Sequence, residues 1–120
     1  RLVELCKQGK NLDAIKELYA DDVVSVEAMD CPEGEGEGMP RTMEGIDAIR
    51  GKNQWFFENH EVHGGEVTGP FHHGPDRFAV GFKYDVTYKP AGRRMTIEEV
   101  AVYTVKDGKI AREEFFYTMP

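Results

Sequence analysis

The chain has 120 residues, 40% of them hydrophobic and 31% charged, which suits one domain (1–120) with a single core. A formal net charge of −7 argues against nucleic acid as a partner, since phosphate binding needs clustered Lys and Arg. No apolar run approaches the roughly 20 residues of a membrane span, no signal-like segment opens the chain, and Cys6 and Cys31 form neither a C-x-x-C pair nor a disulfide framework, so a reducing, cytoplasmic setting is expected.

Leu2-Val3-Leu5-Cys6 reads as the end of an amphipathic helix stopped near Gly9, and Asn11 is placed to cap a second helix over Leu12 to Tyr19. Asp22 to Met29 is rich in β-branched residues and predicts a strand. Asp30 to Thr42, including Glu33 to Gly38, is a Gly/Pro/Glu loop with almost nothing to bury. Met43 to His60 predicts a third helix carrying Ile49 and Trp55. From Glu61 the chain reads as successive strands: Glu61 to His73 with a bulge at Gly64-Gly65, then Arg77 to Tyr88, then a final hairpin. Helices first and an antiparallel meander afterwards is an α+β plan, with the helices on one face of the sheet and space for a ligand at its open end.

The last hairpin carries the most chemistry. Val105-Lys106-Asp107-Gly108-Lys109 suits a three-residue loop pairing Val105 with Lys109. Counting outward, Tyr103 faces Ala111, Ala101 faces Glu113 and Glu99 faces Phe115. Alternation puts Ile97, Glu99, Ala101, Tyr103, Glu113, Phe115 and Tyr117 on one face. Two acids there, diagonal to each other among apolar neighbours, cost free energy unless paired, protonated or solvated in a cavity. The competing reading sets one of them against Lys, Arg or solvent at a sheet edge. Glu98 and Glu114 point to the other face beside Val100, Val102, Ile110, Arg112 and Phe116, a surface apolar enough to serve as a homodimer interface. His60, His63, His72 and His73 lack the convergent spacing of a zinc site, and no metal or cofactor is expected.

LDAIKELYADDVVSVE, then EGIDAIR, then VYTVKDGKIAREEFFY resembles the nuclear transport factor 2-like superfamily, and within it the SnoaL-like group, over nearly the whole chain. The resemblance implies a cone-shaped domain whose curved antiparallel sheet wraps around three N-terminal helices. Ketosteroid isomerases have a general-base aspartate after a strand much like this one, and that position falls on Glu27, with Val23 and Ser25 on the same inward face. The positions of that family's oxyanion donors fall on Ala101 and near Leu2, which cannot donate, so steroid isomerisation is not implied. SnoaL cyclases use an aspartate near the end of the last strand. Here Phe116-Tyr117-Thr118-Met119 stands there, and Glu113 is the nearest carboxylate.

The expected site is a pocket for a small, mostly apolar organic molecule, walled by Ile49, Trp55, Phe82, Tyr84, Tyr103, Phe115 and Tyr117. As an enzyme it would transfer protons without a cofactor in an isomerisation, cyclisation or dehydration. Glu27 would act as base, with Glu99, Glu113 or Tyr103 as donor. The alternative is a non-catalytic ligand-binding or dimeric interaction domain.

Overall fold

Strict alternation along Arg77–Tyr88 decides which way the sheet faces: Val80, Phe82, Val86 and Tyr88 are buried, while Arg77 and Lys83 are exposed. The structure is a computed structural model and describes residues 1–28 and 41–117. The Gly/Glu-rich loop from Asp30, with Cys31, and the end of the chain from Thr118 lie outside the described residues, as does the predicted strand end at Met29. In order, the elements are α1 (Leu2–Lys7), α2 (Asn11–Leu18), β1 (Tyr19–Val26), β2 (Thr42–Glu44), α3 (Ile46–Asn59), β3 (His60–His73), β4 (Arg77–Tyr88), β5 (Arg93–Lys106) and β6 (Lys109–Phe116).

The strands form one 6-stranded sheet in the order β2-β1-β6-β5-β4-β3. β1 runs parallel to β6, and every other pairing is antiparallel. The sheet is therefore mixed, where a wholly antiparallel one was expected: the chain leaves α2, enters β1 directly and lies beside the strand that comes last. Register shifts between Val62 and Gly64 and between Thr68 and Phe71 bend β3, and such bulges curve a sheet. The result is the α+β cone, with the helices gathered against the concave face. Leu5, Ile15, Val23, Ile49, Val80 and Ala101 join helices and sheet in one core.

Several boundaries differ locally. Tyr19, the predicted last residue of the second helix, instead opens β1, because the β-branched run from Val23 pulls the chain into extended pairing. Asn11 is the first residue of α2 and Lys10 its N-cap, with no side-chain capping bond, so the predicted Asn11 cap is not formed. Thr42–Glu44 pairs with β1 as β2 before α3 begins, shortening the third helix.

The hairpin register also differs. Lys106 pairs with Lys109, leaving a two-residue Asp107-Gly108 loop. Both residues have positive φ, 53° and 77°, as in the mirror-image turn whose twist matches that of the strands. A register shift follows, between Thr104 and Val105, so that Thr104 pairs with Arg112. Turn and bulge together move the pairing by an even step. Tyr103 therefore faces Glu113 and Ala101 faces Phe115, while Glu113 stays inward. Ile110 precedes the bulge and is buried, not outward as predicted.

Candidate functional site

The concave face holds a connected set of polar groups within the apolar core. β1 supplies Tyr19 and Ser25, β6 supplies Glu113, and Glu27 stands just past the end of β1. Glu113 is 1% exposed. The Tyr19 hydroxyl donates to its Oε2 at 2.5 Å, and the Ser25 hydroxyl donates to its Oε1 at 2.8 Å. Burial pushes the Glu113 carboxyl up, and Lys52 and these two donors pull it back. Its charge also helps hold the Tyr19 and Tyr103 hydroxyls well above the ordinary phenol range, where burial is the larger cause.

Lys52 enters from α3. Its Nζ donates to Ser25 Oγ at 2.7 Å and Glu27 Oε1 at 2.8 Å, lies 4.0 Å from Glu113 Oε1, and sits 4.9 Å from the centre of the Phe115 ring. Side-chain exposures of 13% for Lys52 and 20% for Glu27 make this a largely desolvated ion pair. Sequence reasoning did not single out Lys52. The signal was its spacing: it falls one turn after the fully buried Ile49, on the apolar side of α3.

Glu99 lies on β5 opposite Phe82 of β4, half-buried. Among the described residues no hydrogen bond or ion pair engages it. Burial, then the Glu27 charge, push its carboxyl up to about 7, and Lys52 pulls the other way. The predicted diagonal contact with Glu113 is not made: Tyr103 faces Glu113, so the Ala101–Phe115 pair separates the two acids, and Glu113 is the weakest of the influences on Glu99. Tyr84 lies diagonally across from Glu99 on the same face. Its buried hydroxyl has no hydrogen-bond partner among the described residues, and burial pushes it up to about 12. The Asn11 amide is near enough to ease that rise but is not placed to close a hydrogen bond.

The other predicted wall residues take different places. Phe82 stacks on Tyr84 with ring centres 5.9 Å apart, and Tyr103 stacks on Phe78 at 5.1 Å. Ile49 is core, Phe115 lies under Lys52, and Tyr117 is partly buried at the end of the described chain. Trp55 packs with His60 and Tyr88 at the far end of α3. Among the described residues no group of His, Cys, Asp or Glu is arranged to hold a metal, and no helix is long and apolar enough to cross a membrane.

A small α+β cone with acids and tyrosines on its concave face is the nuclear transport factor 2-like architecture. A Catenulispora acidiphila protein of ketosteroid isomerase-like fold, solved in complex with trimethylamine, superposes with a TM-score of 0.70 at 21% identity, over 96% of this chain and 81% of its own. A family model for the SnoaL-like domain matches residues 1–117, and the chain belongs to that family. It is 50% identical to a candidate SnoaL-like polyketide cyclase from Mesorhizobium loti, also described as a carbohydrate phosphatase, covering 97% of this chain and 92% of that one with a TM-score of 0.86. A second candidate SnoaL-like polyketide cyclase, from Jannaschia, shares 20% identity over 97% of this chain and 79% of its own, with a TM-score of 0.70. No curated protein matches the chain.

Proposed function

We propose that the chain binds a small, mostly apolar organic molecule on the concave face and transfers a proton to and from it without a cofactor, with Glu99 as the exchanging group. One observation carries this reading. Of the inward carboxylates, Glu27 is bound to Lys52 and Glu113 to Tyr19 and Ser25, while Glu99 is engaged by none of the described residues. A carboxyl that ionises near neutral pH can both take and return a proton. Phe82 and Tyr84 supply an aromatic wall beside it, and the buried Tyr84 hydroxyl is a ready hydrogen-bond donor to a ligand oxygen. The Mesorhizobium protein, by name a candidate SnoaL-like polyketide cyclase, supports isomerisation, cyclisation or dehydration as the reaction type. The cysteine pattern supports a cytoplasmic setting, and burial lifts the free Cys6 thiol to about 11, which makes it a poor nucleophile.

A generic assay tests this without knowledge of the substrate. A panel of enolisable aromatic ketones in deuterated water reports proton transfer as exchange next to the carbonyl. Glu99→Gln is expected to lower protein-catalysed exchange by about 10²-fold or more. Exchange that persists unchanged in Glu99→Gln contradicts the assignment.

A second reading concerns the outer face, where Phe71, Val100 and Phe116 are 61%, 45% and 55% exposed. Val100 and Phe116 are cross-strand partners there, flanked by the Arg112–Glu114 and Lys83–Glu98 ion pairs. An apolar patch rimmed by opposite charges suits a self-complementary dimer. Solution mass should be that of a dimer, and Phe116→Glu should convert it to monomer. A monomeric wild type overturns this reading.

A further inference from the structure

We propose that Lys52 is the positioning residue of this site: by drawing Glu27 and Glu113 to one wall, it leaves Glu99 as the inward carboxyl facing the bound molecule. The inference rests on the reading of Glu99 given above.

An ammonium has three donors and no acceptor. Ser25 Oγ at 2.7 Å and Glu27 Oε1 at 2.8 Å take two of them, and the approach to Glu113 at 4.0 Å occupies the remaining side above the Phe115 ring. Two of its three donors are thus spent within this wall, and its work is done through the acids it holds. Ser25 is the hinge of the arrangement, accepting from Lys52 while donating to Glu113, so Glu113 is tied to the cation through this hydroxyl and Glu27 is tied to it directly. The fully buried Ile49 one turn earlier anchors the helix segment that presents the ammonium.

Among the described residues, charged and titratable groups coupled to Glu99 come from five parts of the fold. They are Glu27 beyond β1, Lys52 on α3, Glu113 on β6, Tyr84 on β4 and Tyr103 on β5 itself. Among them only Lys52 is positive. Removing it takes away the positive charge that pulls the Glu99 carboxyl down and leaves burial and the Glu27 charge to push it up.

Carboxyl carbon NMR titrations of wild type, Lys52→Met, Lys52→Arg, Glu27→Gln and the Lys52→Met/Glu27→Gln double variant test this. Lys52→Met is expected to raise the Glu99 midpoint by about one unit or more, Glu27→Gln to lower it, and Lys52→Arg to stay near wild type. The double variant removes both charges of the ion pair, so it keeps the comparison open if Lys52→Met fails to fold. Adding Lys52→Met to Glu27→Gln should again raise the midpoint. A wild-type Glu99 near 7 that neither background moves overturns the role of Lys52. A wild-type Glu99 near 4.5 overturns the underlying assignment of Glu99 instead.

Discussion

The Tyr19 hydroxyl donates a hydrogen bond to Glu113 Oε2 at 2.5 Å, joining the first residue of β1 to the inner face of β6. With Ser25 on the other carboxyl oxygen, this bond makes a buried acid tolerable in the core. Tyr19→Phe keeps the ring and strands one oxygen. It should cost about 1.5–3 kcal/mol of stability in urea unfolding, the range for a hydrogen bond to a charged group. A change within about 0.5 kcal/mol, the scatter of neutral surface substitutions, would mean the bond is immaterial to the fold.

Gly65 faces Tyr84 across β3 and β4. A Cβ at Gly65 would lie 2.6 Å from Tyr84 Cδ1 and 3.1 Å from the Lys83 carbonyl oxygen, so the ring must move. Gly65→Ala should destabilise by about 1–3 kcal/mol, as overpacking does, and should shift the Tyr84 ring resonances. Unchanged Tyr84 resonances would show that the glycine does not set the ring's place.

The Asp107-Gly108 turn makes a paired prediction. Both residues sit at positive φ, which costs a side-chain-bearing residue about 1–2 kcal/mol but suits Asn and Gly. Gly108→Ala should lower stability by about that amount, and Asp107→Asn should be neutral or mildly stabilising. Equal tolerance of both would argue for the longer loop expected from sequence.

Much of this was legible in the residues. The bounds of β4, Arg77–Tyr88, followed from its alternation, and Glu113 was inward because alternation from the turn put it there. The register was not legible, because the extra residue, Ala111 of β6 opposite the Thr104–Val105 step, carries no signature in sequence and acts only through twist. Tyr19 suited the apolar stripe of a helix and the start of a strand equally well, and pairing with β6 decided between them. Lys52 escaped notice because a lone lysine on a helix normally snorkels to solvent. Here Ser25, Glu27 and the Phe115 ring retain it.

Glu99 also couples charge to stability. Its folded value of about 7 lies above the ordinary 4.5, chiefly through burial and then through Glu27. Stabilisation from this group is full below about pH 4.5 and is lost as pH rises through 7. Glu113 is shifted in the same direction. Unfolding free energy should therefore fall between pH 5 and pH 8, by at most about 3 kcal/mol for Glu99. Glu99→Gln should flatten most of that fall, and a variant with the wild-type slope would contradict the coupling.

The most direct test of the site is the titration of the Glu99 carboxyl itself, followed by carbon NMR in the intact protein and assigned with Glu99→Gln. Residing on the concave face without a partner among the described residues, it should titrate near 7 and move when an apolar ketone is bound. A midpoint near 4.5 that no ligand shifts would contradict the account.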